Sequence, residues 1–492
     1  MKDKTGVIFG NVMSATVMRK AEKVKKAFLA EFGDDSEKRF VLSDSAIPEL
    51  ETMGVRLLMV TEPLGETASS GIPFDLSKDG KALVVGSIRM GFGHYRISIA
   101  IASAGRSMGL HPYLFDLHSF SSTTGGKIIA KQNGLYSLGS RLSQKYALFN
   151  KLYWEPLNSE GFRKLSYNAV DQKTAELMAT PCRLLPPDIP YVATHVWPSQ
   201  AAVHAGMTHV VNAIPDNWPM ALHLSEGAIH CVQTPSSWFG YKTLNGMDGS
   251  RILKNMPDGR LFNTGHYIDH ELVSNLKEDT AKRLSRIADG KALRVLLAVG
   301  GAGAQRELFA SILRVLLPMA QAGKVVLFIN VGDHAGVLEG LRADIPALSK
   351  AVLHRDDWAD TSSFASMALE SEASGVHLFY HTGIFSAVYA TNLLMRASDL
   401  LITKPSELAF YPVPKLHIRR IGGHEAWGAI RSAEVGDGSI ECPTTAQTLH
   451  MLDLLLNGKE ALTMMNEAIL SADKIGTYSG AYRAVELALG KK

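Results

Sequence analysis

The chain has 492 residues, of which 46% are hydrophobic and 20% are charged, with 43 Gly and 20 Pro. This length and composition are typical of a globular protein of two or three domains, and they exclude a disordered or fibrous chain. The 51 Lys and Arg residues and the 48 Asp and Glu residues leave a net charge of only +3. So small a charge gives no reason to expect nucleic acid as a partner.

The spacing of the cysteines and the lengths of the apolar runs indicate where in the cell the chain is expected to work. Cys182, Cys231 and Cys442 lie far apart and show no metal-type spacing, so we expect no metal ion and a reducing cytoplasm. Residues 1–20 contain no apolar block typical of a signal peptide, and no window approaches the ~18 consecutive apolar residues of a membrane span. Contact with a membrane is therefore expected only at its surface, on the inner face.

Residues 1–75 precede the main pattern of the chain and are interpreted as an N-terminal extension. Within them, residues 17–32 predict a Lys-rich amphipathic helix. Its polar side is interpreted as an ordinary solvated face, with binding to a lipid surface as the alternative.

A βαβ unit begins the next region. Residues 82–86 form a short apolar run, and a glycine turn at 91–94 leads into a helical pattern over 97–108 and a second strand over 113–116. This spacing predicts a parallel sheet with a right-handed crossover. Further strands are predicted over residues 191–194, 210–214 and 230–234. Together these elements predict a Rossmann-like domain over residues 76–275.

The same pattern starts again after a charged stretch. An apolar strand over 293–299 is followed by a second glycine turn at 300–304. Helices are then predicted over residues 307–322 and 385–397, and strands over 324–330 and 399–403. We predict a second Rossmann-like domain over 276–492, whose last helix, 481–489, either closes that domain or crosses back onto the first. The predicted class is α/β, with two parallel sheets that face a central cleft.

Each domain opens with a glycine turn, where the backbone can approach a ligand closely and helix N-terminal amides favour an anion. In the first turn, Gly91 and Gly93 precede His94, which either acts on an acceptor hydroxyl or only caps the helix. The third glycine of the dinucleotide fingerprint is missing, so NAD or FAD is not expected.

The glycines of the second turn are Gly300, Gly301 and Gly303. They either meet a diphosphate or allow tight packing of strand and helix. Two such turns favour a ligand site at the carboxyl ends of the strands.

The glycine turn at 91–96 resembles the Gly-Gly-Gly-His-Arg turn of the GT-B glycosyltransferases, which include monogalactosyldiacylglycerol synthase, diacylglycerol glucosyltransferases and MurG-type UDP-GlcNAc transferases. The resemblance lies in motifs spread over about residues 81–440. It implies that His94 lies beside the acceptor. Residues 214–219 resemble the family's run near the acceptor cleft, and Asp216 matches the aspartate of that run.

The strongest part of the resemblance is the donor-binding run, which residues 397–407 match. Glu407 precedes Pro414 by seven residues, the interval between the family's ribose-binding glutamate and its proline. The resemblance therefore implies that Glu407 binds ribose. The residues implied to contact the donor sugar are Gly423, His424 and Glu425.

One segment of the family's motif is absent. A Gly-Pro-Gly-Thr stretch, whose amides hold the donor diphosphate in the family, has no counterpart between Lys404 and Glu407. Three interpretations stay open: other groups, such as Lys404, Ser406 and the turn at 300–303, hold the phosphates; the donor is unusual; or the chain has lost transfer activity.

The predicted function is that of a hexosyltransferase, which moves a sugar from a UDP-sugar to a lipid or other hydrophobic acceptor. His94 or Asp216 would be the base, the turn at 300–303 with Lys404 would stabilise the leaving diphosphate, and Glu407 would hold the ribose. The UDP-sugar is a substrate, and no further cofactor is expected. The alternatives are a UDP-sugar epimerase or phosphorylase-like enzyme, and a non-catalytic binding protein of the same fold.

Overall fold

The computed structural model describes residues 4–62, 74–300 and 305–491. The strands are β1 (Val7–Ile8), β2 (Asn11–Val12), β3 (Val41–Ala46), β4 (Arg56–Thr61), β5 (Ala82–Ser87), β6 (His111–Asp116), β7 (Tyr191–Ala193), β8 (Val210–Ala213), β9 (Ile229–Val232), β10 (Met247–Ser250), β11 (Leu261–Asn263), β12 (Leu293–Ala298), β13 (Val325–Asn330), β14 (Val352–Arg355), β15 (Val376–Tyr380), β16 (Leu400–Thr403) and β17 (Lys415–His417).

The α-helices are α1 (Ala15–Phe32), α2 (Gly93–Ser107), α3 (Thr124–Lys145), α4 (Ala147–Phe149), α5 (Leu165–Ala175), α6 (Ala179–Cys182), α7 (Val196–His204), α8 (Pro235–Thr243), α9 (His270–Ser274), α10 (Leu276–Ala288), α11 (Arg306–Gln321), α12 (Ala335–Asp344), α13 (Trp358–Glu370), α14 (Ile384–Ala397), α15 (Ala426–Val435), α16 (Thr445–Asn457), α17 (Lys459–Lys474) and α18 (Gly480–Ala488). None of the helices in the described ranges is both long enough and apolar enough to cross a membrane.

The chain divides by its contacts into two compact units. The first unit comprises Met1–Met90, Ile97–Tyr267 and Ser479–Lys492. The second unit comprises Gly91–Arg96 and Ile268–Tyr478. The first glycine turn and the first turn of α2 therefore belong with the second unit, although the strands on either side of them belong to the first.

An eight-stranded sheet in the order β11-β9-β8-β7-β5-β6-β4-β3 organises the first unit. Its neighbouring strands run parallel except for the edge pair β3 and β4. All six residues of β5 are buried, because this strand lies inside the sheet with neighbours on both sides. Such continuous apolar runs are typical of parallel strands that are covered on both faces.

The interpretation of residues 1–75 as an extension before the main pattern differs from the structure. Strands β3 and β4 complete one side of the eight-stranded sheet, and Leu42, Leu58 and Val60 pack in its core. β3 has the sequence VLSDSA and exposes four of its six residues at the sheet edge. A strand at the exposed edge of a sheet carries polar residues on its open side. β3 therefore lacks the continuous apolar run that predicts the buried strands.

A six-stranded parallel sheet in the order β14-β15-β13-β12-β16-β17 organises the second unit. Successive residues of β12 face opposite cores, with Leu296 in one apolar cluster and Leu297 in the other, so helices cover both faces. From β12 the chain moves first to β13 on one side and later to β16 on the other. The carboxyl ends of β12 and β16 therefore form the switch point where ligands bind in such folds.

The last helix belongs to the first unit, where α18 contacts β7 and β8. The backbone amide of Gly480 donates to the carbonyl oxygen of His266 at 2.9 Å. A Cβ on Gly480 would lie 2.1 Å from the Gly265 oxygen, so only glycine allows this approach. Of the two predicted courses for this helix, the structure has the one that returns to the first unit.

The unit boundary falls after Tyr267 rather than at 275, because Leu272 of α9 packs in a core of the second unit.

The predicted α/β class with two Rossmann-like, largely parallel sheets is confirmed. The predicted strands that became β5 to β9, β12, β13 and β16 differ from the observed ones by a few residues at most. Strands β14 and β15 lie in a stretch for which the sequence analysis gave no strand.

Candidate functional site

The switch point of the second unit brings Gly300 and Lys404 together. Gly300 follows β12 and Lys404 follows β16, so both lie where their strands end. A Cβ on Gly300 would be only 2.7 Å from Cε of Lys404. The absence of a side chain at Gly300 thus leaves room for the lysine stem to lie beside the end of the neighbouring strand.

Lys404 forms an ion pair with Glu425, whose carboxylate is almost fully buried. The other carboxylate oxygen, Oε2, accepts a hydrogen bond from the Ile421 amide at 2.8 Å. Burial by itself raises the pKa of Glu425, but the charge of Lys404 and the bond from Ile421 outweigh it and hold that pKa below its usual value. Glu425 is therefore an ionised group whose oxygens are both engaged by groups of its own chain.

A histidine also lies at the carboxyl end of this sheet. Nε2 of His334 lies 3.0 Å from the carbonyl oxygen of Gly300. The ring of Phe92, from the first glycine turn, stacks on His334 with centroids 5.4 Å apart. Gly332 has a positive φ of 63°, and a Cβ there would lie 2.6 Å from the Phe92 ring. The turn Gly91–Arg96 thus packs against the loop that follows β13.

The same turn also contacts the loop after β16. A Cβ on Gly93 would lie 3.2 Å from Oε2 of Glu407. Arg96 is 2% exposed, and its Nε lies 3.6 Å from Oε1 of Glu407. Nη1 of Arg96 donates to the Val388 carbonyl at 3.2 Å and to the side-chain oxygen of Asn392. Glu407 is therefore held between a glycine and a buried guanidinium.

A buried carboxyl lies beyond Asn392. Oδ1 of Asp269 accepts from Nδ2 of Asn392 at 2.9 Å, and Oδ2 accepts from the Tyr411 hydroxyl at 2.8 Å. Burial first, and then the charge of Glu271, raise the pKa of Asp269 to about 7. The chain of hydrogen bonds from Arg96 through Asn392 to Asp269 fixes the position of the guanidinium beside Glu407.

The short loop after β16 ends in a single 3-10 turn, Glu407–Phe410, and α15 begins only at Ala426. Ser406 precedes this turn, and its amide donates to the Lys404 carbonyl oxygen at 2.9 Å. A four-residue 3-10 turn does not provide the row of free amides that an α-helix N-terminus offers to phosphate. The missing Gly-Pro-Gly-Thr segment is thus not replaced by a helix start at this position.

The predicted sugar-contacting residues form a second short 3-10 turn, Gly423–Glu425. Nδ1 of His424 is buried and, among the described residues, has no hydrogen-bond partner. A Cβ on Gly422 would lie 2.6 Å from the His424 ring, so glycine at that position makes room for the imidazole. His424 therefore offers a polar atom that the rest of the unit leaves unpaired.

Asp216 lies in the first unit, after β8, and begins a chain of three side chains. Its Oδ2 is 3.2 Å from Nε2 of His223, and Nδ1 of His223 is 2.7 Å from the Tyr241 hydroxyl. Burial keeps the pKa of Tyr241 well above its usual value, so the phenol stays protonated. If the Tyr241 hydroxyl donates to Nδ1, the tautomer of a neutral imidazole with its proton on Nε2 directs that proton toward Asp216. Asp216 itself is partly exposed, at 32%.

The structure assigns most of the predicted site residues to the second unit. These are Gly91, Gly93, His94, Gly300, Lys404, Ser406, Glu407, Gly423, His424 and Glu425. Asp216 lies in the first unit. Gly301 and Gly303 fall outside the described residues. His94 is half-buried in the first turn of α2.

Five residues outside the predicted set are partners of these residues. They are Arg96, Asp269, His334 and Asn392 in the second unit and His223 in the first. Arg96 ends the glycine turn that resembles the GT-B motif, so the sequence offered a reason to consider it. The other four residues belong to no motif, and only their contacts in the folded chain identify them. Within residues 4–62, 74–300 and 305–491, no group of three or more His, Cys, Asp or Glu side chains is arranged to hold a metal ion.

Two family models match the chain. A domain of unknown function (DUF6937) matches residues 7–243, and a second domain of unknown function (DUF6938) matches residues 256–489. No curated protein matches the chain.

Several solved structures are similar to the chain over most of its length. UDP-GlcNAc 2-epimerase from Neisseria meningitidis, bound to UDP-GlcNAc, is 13% identical, with 83% of this chain and 98% of that chain covered and a TM-score of 0.44. The α,α-trehalose 6-phosphate synthase of Burkholderia multivorans is 11% identical, with 83% and 98% covered and a TM-score of 0.42. A glycosyltransferase from Rickettsia africae is 10% identical, with 84% and 99% covered and a TM-score of 0.36.

Proposed function

We propose that the second unit binds the UDP part of a UDP-sugar at the carboxyl ends of β12 and β16, and that the chain transfers the sugar to a lipid or other hydrophobic acceptor. One observation carries this proposal: within a single unit, two carboxylate–cation pairs meet glycine backbone at the switch point. Lys404 with Glu425 lies beside Gly300, and Arg96 with Glu407 lies beside Gly93. A switch point of this kind is where parallel sheets bind nucleotides.

Lys404 is the group proposed to meet the diphosphate. When the bond between the sugar and the diphosphate breaks, negative charge develops on the leaving oxygen, and a nearby ammonium stabilises it. The ion pair with Glu425 holds Lys404 at the strand end. A phosphate oxygen would compete with Glu425 for Lys404, and Glu425 would keep its bond from the Ile421 amide. In this proposal one lysine takes the role of the missing loop amides.

Glu407 is proposed to hold the ribose. Its side chain is 17% exposed, and its Oε1 lies 3.6 Å from Arg96, longer than a direct hydrogen bond. Both oxygens therefore retain capacity to accept from ribose hydroxyls. Bonds from neutral hydroxyls to a carboxylate are among the stronger ones in proteins, because the acceptor is charged. Gly93 keeps space open next to Oε2.

The proton of the acceptor hydroxyl is proposed to pass to Asp216. The acceptor oxygen then forms a bond to the anomeric carbon, the bond from that carbon to the diphosphate breaks, and UDP leaves. The Nε2 proton of His223 would keep Asp216 oriented, and Tyr241 would fix the imidazole. His94 is proposed to orient the acceptor hydroxyl, with the role of base as its alternative. This scheme requires no metal or further cofactor, and with a lipid acceptor we place the enzyme, as part of the proposal, at the inner face of a membrane.

Calorimetric titration of the full chain with UDP, UMP and UDP-sugars tests the proposal. We expect UDP to bind at least about tenfold more tightly than UMP, because the second phosphate is the group that meets Lys404. Absence of binding by every nucleotide and nucleotide sugar would reject the proposal and favour the non-catalytic binding protein. Epimerisation of a bound UDP-sugar without any acceptor would instead favour the epimerase alternative.

A further inference from the structure

Exposed apolar side chains concentrate in one short segment of the first unit. Six large ones lie between residues 135 and 153, and each is 47% to 70% exposed. They are Leu135, Leu138, Tyr146, Leu148, Leu152 and Tyr153. Single exposed apolar residues are ordinary on any protein surface, whereas six of them in one short segment are typical of a surface that meets an apolar partner. We call residues 135–153 the apolar segment.

The residue that follows the apolar segment packs back against α3. Trp154 is 5% exposed and contacts the ring of Tyr136 in α3, with centroids 5.4 Å apart. A Cβ on Gly139 would lie 2.1 Å from the Trp154 ring, so this glycine admits the indole against the helix. Trp154 ends a π-helical turn, Asn150–Trp154, in which Leu152 and Tyr153 remain exposed while Trp154 points inward.

The sequence around the apolar segment carries an excess of positive charge, although Lys131 within it forms an ion pair with Glu31. Residues 127–164 contain seven Lys and Arg residues against two Glu, a net charge of +5, which exceeds the +3 of the whole chain. Lys145 and Lys151 are both exposed and lie within the apolar segment. Among the described residues neither has an ion-pair partner, and the ammonium of Lys145 lies 5.5 Å from the Tyr146 ring centroid.

We propose that the apolar segment docks on the surface of an anionic lipid bilayer. Leu148 and Leu152, the most exposed of the six, would enter the boundary between headgroups and acyl chains. Tyrosine rings prefer the headgroup level, where Tyr146 and Tyr153 would lie. Lys145 and Lys151 would meet anionic headgroups, each of which adds attraction that salt weakens.

A second copy of the chain fits this surface less well. In a two-fold dimer the same patch meets itself, so the cationic surroundings of one copy would face those of the other. A net charge of +5 around the segment disfavours that arrangement, whereas an anionic bilayer neutralises it. Docking does not require a nucleotide, so it can fail or hold independently of the proposed function.

Vesicle flotation of the full chain without nucleotide tests the proposal. The vesicles are phosphatidylcholine alone, or phosphatidylcholine with about one-third phosphatidylglycerol. We expect binding to the anionic vesicles that weakens with added salt. Leu148→Ser with Leu152→Ser should reduce the partition coefficient at least about tenfold. Lys145→Gln with Lys151→Gln should reduce it about tenfold on anionic vesicles, with little effect on neutral ones.

Matched variants separate this surface from other parts of the first unit. Ile252→Ser removes an apolar side chain that is 96% exposed outside the segment, and should leave flotation unchanged. Lys23→Gln with Lys26→Gln, on the Lys-rich helix α1, should also leave it unchanged. All variants are checked by thermal unfolding. Unaltered flotation of the variant with both leucines replaced would overturn the proposal. So would a wild-type chain that does not bind vesicles but forms a dimer, if light scattering shows that the same two substitutions dissociate this dimer.

Discussion

The carboxyl ends of the two sheets carry different kinds of polar group. In the second unit the groups are ion pairs, Lys404 with Glu425 and Arg96 with Glu407. In the first unit they form the hydrogen-bonded chain from Asp216 through His223 to Tyr241. Ion pairs hold charge in a fixed place, whereas a partly exposed carboxylate on an imidazole can take up and release a proton. Under the proposed function, the ion pairs would stabilise charge in one unit and the hydrogen-bonded chain would transfer a proton in the other.

The largest expected effect tests the first unit. Asp216→Asn should lower the rate of sugar transfer by about a hundredfold to ten-thousandfold, because the proposed base is lost. The affinity for UDP should not change, since the UDP site is proposed in the other unit. The measurements are UDP release with lipid acceptor present, and calorimetric titration of UDP. The control is His94→Asn: a loss of rate confined to that variant would move the base to His94 and remove the contrast between the units.

The second prediction tests the ion pair at the switch point. Lys404→Ala should weaken UDP binding about a hundredfold and should lower the free energy of unfolding by about 3–5 kcal/mol, because Glu425 is left charged and buried. Urea unfolding and calorimetry measure the two effects. Adding Glu425→Gln removes the unpaired charge, so the double variant should regain stability without regaining UDP affinity. A double variant that binds UDP like the wild type contradicts a role of Lys404 at the diphosphate.

The third prediction concerns Glu407. Glu407→Ala should weaken UDP binding about tenfold, since hydrogen bonds to a charged group contribute about 1.5–3 kcal/mol. The same substitution should hardly change the affinity for 2′,3′-dideoxy-UDP, which lacks the ribose hydroxyls. Glu407→Gln, which keeps the volume beside Gly93 and Arg96, controls for collapse of the loop. Equal affinities of wild type and Glu407→Ala for UDP would show that the ribose lies elsewhere.

The smallest effect is a pH dependence of stability that the two units share. Burial raises the pKa of Asp269 in the second unit, and of Asp171 in the first, to about 7. The folded chain therefore keeps a proton that the unfolded chain has already lost, and this stabilisation is complete below about pH 4 and is lost as the pH rises through about 7. Asp269→Asn should flatten the dependence by about 1 kcal/mol per pH unit between about pH 5 and pH 7, as measured by urea unfolding. Asp171→Asn is the matched variant in the first unit, and an unaltered slope in both would mean that other groups titrate.

Much of the fold could be predicted from local pattern. Strands such as β5, β12 and β13 are apolar runs bounded by turns, and their buried, parallel setting makes that signal strong. The edge strand β3 gave no such signal because half-exposed strands are largely polar. Motif resemblance also pointed to Lys404 and Glu407, although their roles in donor binding stay predictions.

The sequence by itself determined two α/β series, each with a glycine turn at its start. The spacing of apolar residues and the positions of glycines are local properties of the chain, so they can be read without the fold. Only the tertiary structure decided that the first glycine turn belongs with the second unit, and that Arg96 pairs with Glu407 and with Asn392, which lies 296 residues away. Pairings over such distances depend on how sheets and helices pack, and no local pattern records them. The same packing leaves the apolar segment exposed, since its leucines resemble core residues until the fold turns them outward.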